Sequence, residues 1–405
     1  VTPMDKLSPG SAVTGANARD LALVRIATTG FFALGGFVFA GWAVRIPAVK
    51  EQVSASPATL GLALFAMTGS AVATMAVTGG LCRRLGSGRV TVVAAALLAV
   101  SAVLPTLPRT AVGLGLALLV FGVAYGAIDV AVNSVAVDLV AALRRPIMPS
   151  LHAANSLGSL AGAGAGGLLA PHLSPTAHML LVAPLGVVAA AAGGWVLLTR
   201  PLPSSHRQEP EGDARGGGGR RLLPRLRAGL PLFAAIALCA AYGQGALDSW
   251  VPLHITSDLG GGEGVAAAGY AIVQGTMTAG RLAGVALLER LGQTVVVVAG
   301  GALACAGALV AALAPALPVV LVALAATGLG LANIFPVAIG RAGAIGGPSG
   351  VAFASTLGYG GILLAPPTIG FLAEDFGLPK AFTLIAVMIG AAAVMGYAAR
   401  KQQFS

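Results

Sequence analysis

The chain has 405 residues, of which 57% are hydrophobic, only 9% charged and 58 are glycine. A soluble domain of this length needs far more charge to cover its surface, so the composition excludes a water-exposed globular enzyme and points to the bilayer. The net charge of +10 would suit nucleic acid, but the basic residues fall in alternate loops, which is a topology signal and argues against a nucleic-acid partner.

Residues 1–20 are polar and lack a short apolar core followed by small residues, so no cleavable signal peptide is expected. Six apolar stretches long enough to span a bilayer follow, at 21–44, 58–80, 90–107, 111–140, 150–170 and 177–198. A break at 200–228 holds Pro201, Pro203, Pro210, four consecutive glycines from Gly216 and a run of arginines. That composition cannot pack a core and reads as a flexible linker. Six more stretches come after it, at 230–255, 264–288, 294–314, 318–339, 350–373 and 379–399. The expected fold class is therefore an all-α membrane protein of twelve transmembrane helices. Its domains would be an N-terminal six-helix bundle at 1–199, the linker at 200–228 and a C-terminal six-helix bundle at 229–405.

Arg83, Arg84, Arg89, Arg144, Arg145, the linker arginines, Arg290, Arg341, Arg400 and Lys401 share one side of such a topology. The other side keeps Arg45, Lys50, Arg109 and Lys380. The positive-inside rule then places both termini in the cytoplasm, and the chain in the cytoplasmic (inner) membrane of a bacterium. The halves also echo one another at an offset of roughly 200 residues. Arg84-Leu85-Gly86 recurs as Arg290-Leu291-Gly292, Ser156-Leu157-Gly158 as Thr356-Leu357-Gly358, and Trp42 is answered by Trp250. Parallel repeats of this kind build transporters with a central site between the halves. The repeated arginines, Arg84 and Arg290, stand at the same loop of each half and are candidate gating residues.

Asp129 is the sharpest chemical candidate, because an ionisable group inside a span costs at least about 2.5 kcal/mol and normally faces a polar cavity. It is assigned to proton coupling, the alternative being a neutral aspartic acid that holds two helices together. Asn133, one turn further on, shares its face. Asp248, in span seven, is the second candidate, and Asn133, Gln244 and Asp248 are candidate substrate-binding residues. Arg45 ends span one at a height comparable to Asp248, and a pairing of the two across the halves would close the outward mouth, the alternative being two interfacial side chains that reach water. Asp138, Arg145 and His152 bracket the turn between spans four and five as a candidate cytoplasmic latch, against the alternative of a solvated turn. His172, His178 and His206 lie in loops or at span ends without ligand spacing, and Cys82, Cys239 and Cys305 are scattered, so no metal site is expected. No phosphate-binding loop of the form GxxxxGK[ST] and no hydrolase elbow appear, so neither ATP-driven transport nor enzymatic activity is expected, and no cofactor. Glycine clusters at 158–167 and 275–284 permit tight helix crossings.

Several segments together resemble the major facilitator superfamily, and within it a bacterial branch related to fucose permease. They are Trp42-Ala43-Val44-Arg45-Ile46-Pro47, Asp129-Val130-Ala131-Val132-Asn133, Arg145-Pro146-Ile147-Met148 with His152, Gly280-Arg281-Leu282-Ala283-Gly284, Ala332-Asn333-Ile334-Phe335-Pro336, and Gly358-Tyr359-Gly360-Gly361. The resemblance implies two bundles, alternating access and a central site. It implies that the span-four carboxylate, here Asp129, takes part in proton coupling and substrate binding, and it adds Asn333 and Tyr359 to the substrate-binding candidates. One departure stands out: the superfamily loop G-x-L-x-D-R-x-G reads Gly79-Gly80-Leu81-Cys82-Arg83-Arg84-Leu85-Gly86, with Arg83 in place of the aspartate.

The expected function is secondary active transport, symport or antiport, of a small polar organic solute, a sugar among the options, with protons or Na+ as coupling ion. The expected partners are that small molecule, the ion and the lipid bilayer, with the chain acting as a monomer. One alternative is efflux of a drug or secondary metabolite by proton antiport. A different class, a non-transporting membrane sensor or scaffold, would have no need of Asp129 and would depend on the basic linker.

Overall fold

A computed structural model describes residues 18–143, 145, 147–200, 202 and 229–400. Except for Arg200 and Leu202, the predicted linker lies outside the described residues. The helices are α1 (Ala18–Ala43), α2 (Ile46–Gln52), α3 (Pro57–Leu85), α4 (Ser87–Ser101), α5 (Ala111–Leu143), α6 (Met148–Leu169) and α7 (Pro175–Thr199). After the undescribed stretch come α8 (Leu230–Ser257), α9 (Glu263–Leu282), α10 (Gly284–Leu291), α11 (Gln293–Leu313), α12 (Leu317–Leu331), α13 (Ile334–Phe376) and α14 (Leu378–Ala399).

Local chemistry sets these boundaries. Ser56 and Ser174 each accept a hydrogen bond from the backbone N–H three residues on, and a proline at the first helical position follows each of them. Gly86 and Gly292 close one helix and open the next at φ +90° and +79°. A side chain there would be strained, which is why Arg-Leu-Gly occurs twice.

Among the described residues, ten helical stretches are long and apolar enough to cross a membrane. The fifth and eighth predicted spans are not among them, although α6 and α9 are helices of 22 and 20 residues. Their glycines and polar side chains, serine and asparagine in α6 and glutamine and threonine in α9, lower the apolarity because both pack inward on other helices. Gly158 and Gly162 of α6 lie so close to the carbonyls of Ala33 and Phe37 on α1 that a Cβ would collide with them. The ten stretches with α6 and α9 make the all-α architecture of twelve spans. Three boundaries differ from expectation. Span three ends early, at Ser101; span eight ends at Leu282, with a separate α10; span ten is interrupted at Ala332 and Asn333. The long α13 is not straight: a Cβ on Gly350 would strike the carbonyl of Ala342, whereas eight residues of straight helix separate atoms by about 12 Å. The chain therefore doubles back there.

In the N-terminal set, α1 packs on α6, α3 on α5, and α4 on α7. In the C-terminal set, α8 packs on α13, α11 on α12 and α14, and α9 on α12. The sets meet through α3 against α13 and α6 against α9. Leu116, Val188, Val322 and Val394 are among many large apolar side chains left exposed, as a lipid-facing surface requires.

The contacts between the sets concentrate at one end, named here for Arg45. There Arg45 pairs with Glu263, the Ala58 N–H donates to Glu374 Oε2 at 3.2 Å, and Gly167 abuts Ala267. Toward the opposite end, where Arg200 and Gly229 flank the linker, His152 of α6 and Arg281 of α9 are within electrostatic range of one another yet both exposed to solvent. The molecule is closed at the Arg45 end and has an accessible interior toward the linker end.

Candidate functional site

Asp129 sits midway along α5, on the face that α5 turns toward α1 and α6. It lines a small cavity of about 60 Å³ together with Phe31, Phe32, Gly35, Tyr125, Ile128, Val132, His152 and Asn155. Among the described residues no cation and no hydrogen-bond donor engages its carboxylate; its electrostatic neighbours are the Tyr125 and Tyr359 hydroxyls. A larger groove of about 530 Å³ between α11 and α12 is walled by residues such as Leu303, Val310, Val319 and Val322, all without a polar side chain. It offers nothing to orient a polar ligand.

The opposite wall comes from α8 and α9. Gln274 Nε2 donates to Asp248 Oδ1 at 3.1 Å and to the Tyr270 hydroxyl at 2.8 Å. Arg281 Nη2 donates to Gln244 Oε1 at 3.2 Å, Gln244 also hydrogen-bonds Asp248, and Arg281 and Asp248 are electrostatic neighbours. Tyr125 lies within electrostatic range of Asp129, Asp248 and Tyr359, so side chains from both sets converge on one centre. Of the sequence-derived candidates, Asp129, Gln244, Asp248 and Tyr359 are brought together here. His152 joins them: it stacks edge-on against Phe32 at 5.2 Å and lines the Asp129 cavity, so it does not latch with Asp138.

Other candidates are placed elsewhere. The Asn133 amide donates back to the Asp129 carbonyl at 2.8 Å, within its own helix. Asn333 is corrected as a ligand for substrate: it is buried, donates to the Gly280 carbonyl at 2.8 Å and occupies the space beside Gly284, so it fastens the α12–α13 junction to α9. Asp138 is buried against α4, where Ser87 Oγ donates to it at 3.4 Å. Arg84, Arg145 and Arg290 are exposed at the linker end.

The pairing of Arg45 with Asp248 is also corrected. Gln274 and Gln244 hold Asp248, while Arg45 reaches past it to the first residue of α9. Arg45 Nη1 donates to Glu263 Oε2 at 2.8 Å, and Arg45 Nε donates to His178 Nδ1 at 3.1 Å. Arg45 is wholly buried and His178 is 1% exposed, inside α7 and not in a loop.

Sequence reasoning did not single out Arg281, Gln274, Tyr270, Glu263 or His178. The signal for Arg281 was present: a cation inside a span costs as much as the carboxylate that drew attention to Asp129. The glycines around it absorbed the reading. Glu263 and His178 sit at span ends, where charge costs little, and nothing local distinguishes them.

The fold and this centre define a class, a multi-pass membrane protein with a polar cavity between two sets of helices that is closed at one end. Residues 26–340 match the model of the Major Facilitator Superfamily, and the chain belongs to that family. It is 32% identical over 368 residues to an uncharacterized transporter of Sinorhizobium fredii, covering 90% of this chain and 95% of that protein. An uncharacterized MFS-type transporter of Yersinia pestis is 30% identical over 370 residues, with 90% and 93% covered. Among solved structures, a bacterial homologue of the lysosomal transporter Spinster, captured inward-facing and unoccupied, is similar with a TM-score of 0.73 at 15% identity, covering 96% of this chain and 98% of that one. The Escherichia coli fucose:proton symporter is similar with a TM-score of 0.63 at 17% identity, covering 95% and 98%. At such identities the structural likeness carries the fold.

Proposed function

We propose that this chain is a secondary active transporter that carries a small polar organic solute across the cytoplasmic membrane by alternating access, coupled to protons through Asp129. The observation that carries the reading is a carboxylate without a cation partner among the described residues, in a cavity where both helix sets meet, with access from one end. A carboxylate so placed gains a proton when the cavity dries and loses it when water returns, which couples protonation to which side is open. Gln244, Asp248, Arg281 and Tyr359 supply donors and acceptors for hydroxyl or carbonyl groups. The arginine bias assigns the linker end to the cytoplasm, which makes the present state inward-open, with Arg45 and Glu263 as the outer gate. In this reading two six-helix bundles, 1–199 and 229–405, rock about the centre, and Arg84, Arg145 and Arg290 act at the inner mouth. The structural neighbours include a fucose:proton symporter and a nucleoside transporter, which fits a polar ring-shaped solute.

One observation favours a second reading. Phe31, Phe32 and Tyr125 wall the bare Asp129 carboxylate, a setting that also suits a protonated amine and hence efflux by proton antiport. Ligand-induced thermal stabilisation of the purified protein decides between the two. A ligand at a hundred times its Kd adds about 2.7 kcal/mol. Stabilisation by neutral sugars or related polar solutes, lost in Asp129→Asn, supports solute–proton symport. Stabilisation by hydrophobic amines alone transfers the assignment to efflux.

A further inference from the structure

We infer that His178 makes the outer gate proton-responsive, so that acidity outside the cell unlocks it independently of Asp129; this rests on the reading of the Arg45 end as the outer gate. The geometry fixes the protonation state of the closed form. A guanidinium has donors and no acceptor, so the Arg45 Nε to His178 Nδ1 bond of 3.1 Å requires a lone pair on Nδ1 and a neutral ring with its proton on Nε2. Protonating Nδ1 deletes this bond and sets two cations side by side in a place without water. The closed gate and the charged imidazole therefore exclude one another.

Among the described residues, the surroundings offer no second charge to rescue an imidazolium. α1 presents Gly41 and the turn after it Val44 and Arg45, and α6 presents Gly166. α7 itself carries no Asp, Glu, Lys or Arg, and α4 has its one charged residue, Arg89, near the end remote from His178. From α9, Glu263 reaches the same guanidinium through the other side of Arg45, at Nη1. Among the described residues, the Nε2 of His178 and the Nη2 of Arg45 have no hydrogen-bond partner. The cluster is thus under-satisfied when closed, and opening to water hydrates both groups. Linkage is reciprocal: if opening favours protonation, protonation favours opening by the same factor. The ring becomes accessible when the outer ends part, so the proton that holds the gate open comes from outside.

The magnitude follows from an imidazole that titrates near its ordinary value of about 6.5 when hydrated and stays neutral when closed. Lowering the pH from 7.5 to 5.5 then raises the open-to-closed ratio about tenfold. The test uses full-length protein in lipid nanodiscs, with Cys82, Cys239 and Cys305 replaced and spin labels at Arg109→Cys and Lys380→Cys, both exposed at the Arg45 end. Pulsed dipolar distances are recorded between pH 7.5 and 5.5. The expected result is growth of a longer-distance population as pH falls, retained in Asp129→Asn and abolished in His178→Asn, whose side-chain oxygen still accepts from Arg45 but cannot titrate in this range. His178→Gln serves as a second non-titrating variant should the first fail to fold. A wild-type protein without a pH response, a response that survives in His178→Asn and His178→Gln, or one lost in Asp129→Asn would overturn the inference. Glu263→Gln is measured alongside at pH 7.5: an unchanged distance distribution there rejects the outer-gate reading itself, which separates the two failures.

Discussion

Breaking the Arg45–Glu263 pair gives the most quantitative consequence of this architecture. The Arg45 side chain is 1% exposed and that of Glu263 34%. Removing one partner of a fully buried pair costs about 3–5 kcal/mol, because a charge is left without compensation in a dry place. Glu263 keeps a third of its side chain in water, so the lower range that applies to charged hydrogen bonds, about 2–3 kcal/mol, is the better figure. The open state has already lost the pair and is unaffected, so Glu263→Met should move the open-to-closed ratio roughly 30- to 150-fold toward open. Arg45→Met should do the same. The double variant buries two apolar chains and should recover most of the loss, since an apolar replacement of an ion pair is often neutral. A double-mutant cycle read from the distance distribution at the Arg45 end then gives a coupling of about 2 kcal/mol. A coupling below about 0.5 kcal/mol would mean that the pair is incidental and that helix packing alone keeps that end shut.

Three further outcomes follow. In proteoliposomes, Asp129→Asn should lose solute accumulation driven by a pH gradient; accumulation at wild-type levels would remove Asp129 from the coupling step. Arg281→Met removes the donor to Gln244 and leaves Asp248 without its neighbouring cation, and should weaken ligand stabilisation by about 1.5–3 kcal/mol, some 10- to 150-fold in Kd; an unchanged Kd by thermal titration would place Arg281 outside the site. Gly158→Leu should destabilise the protein by at least about 1–3 kcal/mol, since even a Cβ meets the Ala33 carbonyl; a melting temperature within a degree of wild type would show that α1 and α6 can separate freely.

What the amino-acid sequence alone determined is how the chain divides between lipid and water. Whether a stretch crosses a bilayer depends on the summed transfer free energy of about twenty consecutive residues, a local property. The turns at Gly86 and Gly292 are local as well. So is the cost of Asp129, which made it conspicuous without knowledge of any neighbour.

The tertiary structure decided what touches what. Asp248 and Glu263 lie 15 positions apart, and the rotation and crossing of α8 and α9 give the first to Gln274 and the second to Arg45. The same geometry turned Asn333 from a ligand candidate into a fastener beside Gly280, carried His152 from the turn between spans four and five into the Asp129 cavity, and put His178 under the guanidinium of Arg45. Glycine contacts such as Gly158 on Ala33 let helices approach closely enough to set such crossings. A polar side chain inside a membrane protein must find a partner wherever the backbone packing leaves one, and that choice is made between helices far apart in sequence.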